Sequence, residues 1–220
     1  MASNEKAALF DSLAEVAKAL ANGRRAELID ALAQGERSVE ELADVIGQSV
    51  ANTSQHLQRL LRAGLVATRR EGTRIHYSLA SPSVFTLWRT ITETAQAHID
   101  NIDELAEAFL GDRTGMDTIS RDDLRKRIRD GDVVVLDVRP ETEFRNGHIA
   151  GAISMPASQL KARLAEIPAD ADVVAYCRGP YCVMAPDAVR YLTRKGRRAI
   201  QLEGGFPEWA EEGKPVEAGV

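Results

Sequence analysis

The sequence predicts two domains, a mainly α unit over residues 1–110 and an α/β unit with a mainly parallel sheet over residues 117–220, joined by a linker at 111–116. Three observations predict this. A chain of 220 residues is comfortable for two domains. Its first half carries helical periodicity interrupted by one hairpin. Past residue 115, short apolar runs alternate with helical stretches, the pattern of a parallel sheet covered by helices.

The elements follow in order. Leu9, Leu13, Val16 and Leu20 keep a helical period, and Asn22 and Gly23 break it. A second helix places Leu28, Ile29 and Leu32 on one face and ends near Gly35. Ser38, Val39, Glu40 and Glu41 form a capping box for a third helix that stops at Gly47. Ser49 caps a fourth helix running to about Ala63, with Gly64 just past its end. Residues 65–70 and 74–79 read as strands around a turn at Glu71, Gly72 and Thr73. Ser81 and Pro82 open one long helix whose stripe runs through Val84, Trp88, Ile91, Ala95, Ile99, Ile102, Leu105 and Phe109. That stripe spans roughly 40 Å at the helical rise. No small domain buries such a stripe, so part of it is expected to meet a second subunit.

Gly111, Asp112, Arg113, Thr114 and Gly115 form the linker. Beyond it, strands are expected at 133–138, 152–155, 173–176 and 199–202, and helices near 120–129, 158–165, 183–195 and 206–212.

Composition narrows the class. No apolar run is long enough to span a membrane and the N-terminus lacks a signal-peptide pattern, so a cytoplasmic protein is expected. The net charge of −5 is unevenly placed. Residues 1–80 carry ten basic and ten acidic side chains, residues 81–112 one and six, and residues 113–220 seventeen of each. Between residues 49 and 79, Arg59, Arg62, Arg69, Arg70 and Arg74 face Glu71 alone. Nucleic acid responds to the local field, so this stripe outweighs the total.

Two helices, a short turn and a basic hairpin make a winged helix-turn-helix. On the fourth helix, Val50, Thr53, Leu57, Leu60 and Leu61 share one face, and Ala51, Asn52, Gln55, Arg59 and Arg62 the other. Asn and Gln pair bidentately with adenine, and Arg suits guanine or phosphate. Arg69, Arg70 and Arg74 near the hairpin tip suit phosphates or the minor groove. Residues 54–66, SQHLQRLLRAGLV, and the hairpin 69–77, RREGTRIHY, resemble the ArsR family of bacterial repressors over about residues 8–100. The resemblance implies a homodimer, joined through N-terminal helices including 82–110, that occludes an operator in double-stranded DNA until an inducer releases it. It adds Ser54, Gln55 and His56 to the readers, beside Ser49 at the helix start. For His56, packing and base contact remain equal readings.

Many members of that family sense metals. Here the matching stretch from Arg37 to Glu41 has no cysteine, and the last helix offers His98 with Asp100, Asp103 and Glu104, a single imidazole. Zinc sites want three or four placed ligands. No metal site and no cofactor are expected.

The chain's two cysteines, Cys177 and Cys182, are too few for a structural disulfide framework and too close to be unrelated. Cys177 follows a buried strand and precedes a helix, where open α/β sheets place their ligands. Gly179 permits a tight loop, Pro186 is tolerated in the helix's first turn, and loop amides can converge on an anion. Arg178 beside the sulfur is expected to depress the Cys177 pKa and favour a thiolate.

Residues 136–144, LDVRPETEF, with 147–152, GHIAGA, then the loop 177–182, CRGPYC, and finally 204–209, GGFPEW, with 213–215, GKP, resemble a single-domain rhodanese over about residues 117–217. The resemblance implies that Cys177 takes sulfur from a sulfane donor such as thiosulfate or a polysulfide, forms a persulfide held by loop amides at 178–182, and passes sulfur to a thiol acceptor. The site comprises Cys177, Arg178, Gly179, Pro180, Tyr181 and Cys182. Asp137, Arg139 and His148 are expected to stabilise the fold, and Trp209 to fill the core. Cys182 has two readings, a resolving thiol or a helix-start residue. Phosphatase-type relatives of this fold place an arginine several residues after the cysteine. Here Cys182 and Val183 occupy those places, which argues against oxyanion chemistry. Three functions follow: a sulfur-responsive repressor, a sulfurtransferase tethered to DNA, or a rhodanese-like domain that only docks a partner.

Overall fold

The computed structural model describes residues 2–111, 113 and 115–219. Asp112 and Thr114 of the expected linker, and the terminal Met1 and Val220, lie outside the described residues. The chain forms two compact units, Met1–Thr94 and Ala95–Val220.

In the first unit, α1 (Ala2–Leu20) and α2 (Gly23–Leu32) are separated by Asn22, whose side chain accepts the Arg25 amide and so caps α2. A two-residue strand β1 (Arg37–Ser38) leads into α3 (Val39–Ile46). The expected capping box is present: the Ser38 amide donates to Glu41 at 2.7 Å, and the Glu41 amide donates to Ser38 Oγ at 3.3 Å. Gly47, at φ +61°, ends α3 in the left-handed region that glycine tolerates. Then come α4 (Val50–Arg62), β2 (Val66–Glu71), β3 (Arg74–Leu79) and α5 (Pro82–His98). The sheet order is β1-β3-β2, all antiparallel, with Glu71 opposite Arg74 at the tip. Leu28, Ile29, Leu42, Leu57 and Leu60 are fully buried between the helices. This is a winged helix-turn-helix.

The long helix expected over residues 82–110 is two helices. The first, α5, ends at His98, and α6 (Ile102–Leu110) begins after a tight turn in which the Ile102 amide donates to the Ile99 carbonyl. Asp100 and Asn101, both of low helix propensity, sit in that turn. Asp103 and Glu104 then fall in the first turn of α6, where the helix favours negative charge.

In the second unit, β4 (Thr118–Ile119), α7 (Arg121–Asp130), β5 (Val134–Asp137), α8 (Glu141–Asn146), β6 (His148–Ile149) and β7 (Ile153–Ser154) come first. They are followed by β8 (Asp172–Tyr176), α9 (Met184–Arg194), β9 (Arg198–Leu202), α10 (Phe206–Glu211) and β10 (Val216–Glu217). Five strands form a parallel sheet in the order β4-β9-β8-β5-β7, and β6 pairs with β10 antiparallel. Successive residues of a strand point to opposite faces. Leu136, Val173, Ala175 and Cys177 therefore meet Ala185, Val189 and Leu192 of α9 on one face. Val135, Val174 and Tyr176 meet Leu124, Phe206 and Trp209 on the other. Burial of both faces explains why the strands read as unbroken apolar runs. The helix expected near 158–165 is a series of turns ending in a single 3-10 turn, Leu164–Glu166. Leu160, Leu164 and Ile167 still pack on the core there, from turns and not from a regular helix.

Asp137 and Arg139 form a fully buried ion pair at 2.5 Å. Arg139 also donates to the Gly147 carbonyl at 2.7 Å and lies 4.3 Å over the Phe206 ring. Tyr176 donates to Asp137 at 2.7 Å and accepts the Ile149 amide. His148 stacks on Phe144 and makes a 2.9 Å bond to its carbonyl. Trp209 is buried and donates to the Pro215 carbonyl. All five are buried and bonded within the fold. Among the described residues, no helix is long and apolar enough to cross a membrane.

Removing one partner of a buried pair strands the other. Arg139→Met is expected to destabilise the second unit by about 3–5 kcal/mol, read by urea unfolding followed through tryptophan fluorescence at Trp209.

Candidate functional sites: an exposed helix face and a cysteine loop

On α4, Thr53, Leu57 and Leu60 point into the core. Ala51, Asn52, Gln55, Arg59 and Arg62 are exposed together on the opposite face. Val50 departs from the expected inner face and is 45% exposed, because the first turn projects beyond the core. The Ser49 hydroxyl is engaged as the helix cap, accepting the Asn52 amide at 3.3 Å. Ser54 is half-buried. His56 is half-buried too, and its Nδ1 is buried with no hydrogen-bond partner among the described residues. Burial, then the positive fields of Arg25, Arg59 and Arg24, pushes its pKa down. This geometry favours the packing reading of His56.

The hairpin arginines differ. Arg69 is tied to Glu36 by bonds of 2.6 and 3.0 Å and to Glu71 by one of 2.9 Å. Arg70 donates to the Gly72 carbonyl and is otherwise exposed, as is Arg74. Glu36, outside the hairpin, neutralises a cation that sequence alone placed at the surface.

The cysteine loop occupies the carboxyl end of β8. Cys177 is fully buried and Cys182 nearly so. The Cys182 amide donates to the Gly179 carbonyl at 3.2 Å, closing a turn over Gly179, Pro180, Tyr181 and Cys182. The Cys177 carbonyl accepts the Phe206 amide at 3.0 Å. That approach depends on Gly205, where a Cβ would lie 2.4 Å from the Gly179 nitrogen. Arg113 donates to the Pro180 carbonyl at 2.9 Å and to the Cys182 carbonyl at 2.6 Å.

The two thiols interact within the loop, and hydrogen bonding between them shifts their ionisation in opposite directions. Burial, and then that bond, pushes the Cys177 thiol well above its ordinary value. The same bond pulls Cys182 down to about 7, assisted by the amides of Arg178 and Met184. The amides of Gly179 and Ala185 face Cys177. The expected depression of Cys177 by Arg178 is therefore corrected. Arg178 turns away to the fully buried Glu143, at 2.5 and 3.0 Å, and of the two thiols Cys182 is the one whose ionisation is favoured. Glu143, Arg113, Gly205 and Ala185 were not singled out from sequence. Glu143 stands 35 residues from Arg178 and Arg113 69 from Cys182, so only folding brings them together.

Residues 22–68 match the family described as bacterial regulatory protein, arsR family, and residues 120–212 match the rhodanese-like domain. The chain is 46% identical to the HTH-type transcriptional regulator Rv0324 of Mycobacterium tuberculosis over 218 residues, covering 99% of this chain and 96% of that protein. The chain belongs to the ArsR family. It is an ArsR-type, DNA-binding transcriptional regulator carrying a rhodanese-like domain. Its second half is 36% identical to a sulfurtransferase of Allochromatium vinosum over 102 residues, 46% of this chain and 94% of that protein. A solved winged helix-turn-helix domain of Mycobacterium bovis, Mb0332, described as homodimeric, is 47% identical, covering 44% of this chain and 89% of that one with a TM-score of 0.41.

In this ArsR-family regulator, the hydrogen bond between the thiols predicts a pH signature. Alkylation of Cys182 by iodoacetamide is expected to rise through pH 7, as its proton is lost. Cys177→Ala removes the donor, so the midpoint is expected to move up toward the ordinary thiol value. Mass-spectrometric alkylation profiles against pH read both.

Proposed function

We propose that this regulator is a repressor whose operator affinity responds to sulfane sulfur through a persulfide on Cys177. The observation that carries the reading is the paired thiols in the rhodanese-like loop. They are the chain's only two cysteines, so the DNA-binding unit has no thiol of its own.

The chemistry runs in balance. The Cys177 proton passes to the neighbouring Cys182 thiolate. The Cys177 thiolate attacks the outer sulfur of thiosulfate or a polysulfide. The donor's S–S bond breaks and its electron pair leaves with the remainder, sulfite in the case of thiosulfate. The amides of Gly179 and Ala185, at the start of α9, favour the persulfide anion. Arg178, Gly179, Pro180 and Tyr181 shape the cradle. A thiol acceptor then attacks the outer sulfur and releases Cys177. Likeness to a sulfurtransferase supports a second reading, in which transfer is the output and DNA binding ignores sulfur.

On the DNA side, Asn52, Gln55 and Arg59 are the base readers, with Ser49, Ser54 and His56 at the edges of their face. Arg70 and Arg74 hold phosphates, and Arg69 does so only after leaving Glu36. Exposed apolar side chains support homodimerisation: Leu9, Phe10 and Leu13 on α1, and Leu105 and Phe109 on α6.

Operator affinity is to be measured with and without polysulfide, in wild type and Cys177→Ser. The expectation is a change of tenfold or so in wild type (about 1.4 kcal/mol) and none in the variant. Equal affinities in wild type would end the sulfur-responsive reading and leave the tethered sulfurtransferase.

Base and phosphate roles separate by salt. Gln55→Ala is expected to cost about 1–3 kcal/mol at the operator and little on random duplex. Arg70→Ala is expected to weaken both and to reduce the salt slope by about one. Titrations at several salt concentrations distinguish them.

A further inference from the structure

At the opposite end of the sheet from Cys177, the second unit holds a cleft of about 830 Å³. Asp172 begins β8 and Cys177 follows its last residue, a separation of about 17 Å at the strand rise. Five arginines line the cleft: Arg127, Arg190, Arg194, Arg197 and Arg198. Only two carboxylates join them, Asp117 and Asp172. Asp172 is already engaged, by Arg127 at 2.5 Å and by Arg198. Arg190 is paired with Asp187 at 2.9 Å, so the excess of positive charge rests on Arg194 and Arg197.

Arg197 carries the argument furthest. It is half-buried, and its Nη1 is buried with no hydrogen-bond partner among the described residues. A buried guanidinium nitrogen left unpaired is costly, and rotation of the Arg197 side chain toward an anion bound in the cleft would satisfy it. Exposed Arg194 stands three residues away, at the end of α9. Guanidinium forks match phosphate bidentately. Met116, Val173, Val189, Ala199 and Ile200 supply an apolar wall. A cleft of this size with a few convergent polar groups on an apolar lining is the form of a small-molecule site.

We propose that this cleft binds an organic phosphate of nucleotide size, its phosphates held by Arg194 and Arg197 and its flat apolar part against Met116, Val189 and Ile200. The site is separate from the sulfur loop and gives the regulator a second chemical input.

The test is calorimetric titration of the full chain with ATP, with inorganic triphosphate as the arm lacking an apolar body. ATP is expected to bind in the micromolar range and triphosphate at least tenfold more weakly. Arg197→Ala is expected to weaken ATP by about tenfold or more, the order of one charge-assisted hydrogen bond. Arg194→Ala, at an exposed position, is expected to do the same and keeps the test decisive if Arg197→Ala fails to fold. Persulfide loading of Cys177 is expected to be unchanged in Arg194→Ala. Absence of ATP binding, equal binding of triphosphate, or undiminished binding by Arg194→Ala would each overturn the proposal. So would a random duplex losing affinity in Arg194→Ala as much as ATP does, since the cleft would then be a nucleic-acid contact.

Discussion

The cysteine loop keeps its shape through the Phe206 amide, which reaches the Cys177 carbonyl at 3.0 Å only because Gly205 has no side chain. Remove that approach and the carboxyl end of β8 loses its anchor to α10. Two further restraints come from outside the loop. Arg113 grips two loop carbonyls, and Glu143, fully buried on α8, holds Arg178. With its backbone and its only arginine engaged, the loop presents two sulfurs to each other and amides to both. The Asp137–Arg139 pair, with Tyr176 on Asp137, fixes the adjacent strand ends. Asp137 ends β5 beside Tyr176 at the end of β8, so the buried ion pair is bonded to the residue just before Cys177.

Electrostatics in both units is decided by partners distant in sequence. Arg69 counts as a wing cation in the sequence, yet Glu36 and Glu71 hold it. Arg178 counts as an activator of Cys177, yet Glu143 takes it. In each case a carboxylate distant in sequence pairs with the cation, although Arg69 itself stays exposed. Arg70 and Arg74 at the hairpin and Arg59 on α4 remain exposed. The field a duplex meets is therefore narrower than a count of arginines suggests.

Local chemistry was legible. Asn22, Ser38 and Ser49 cap helices through bonds within three residues, and their sequence signature is the structure itself. Leu57 and Leu60 declare the inner face of α4 by spacing, and the apolar runs of β5 and β8 declare a sheet covered on both sides. Legibility failed where the signal was too short or too long. The pairs at β1, β4, β6 and β10 are two residues each, below any period. The break at Asp100 and Asn101 was hidden because the apolar stripe continues in register into α6. At the site, the two cysteines were visible and the loop that holds them was placed correctly between strand and helix. Their proton order was not visible, because burial and mutual bonding exist only after folding.

That proton order bears on reactivity. A thiolate isolated in the interior is strongly disfavoured, and burial alone raises Cys177. A pair of thiols sharing one proton avoids this. Charge formed on Cys182 is stabilised by the Cys177 S–H and by two amides, so the pair ionises near neutrality although each sulfur is out of water. In the proposed reaction, moving the proton between the thiols transfers the charge to Cys177 with no ion entering or leaving. Cys182 stands two residues before α9, so charge formed there lies near the helix end that favours it.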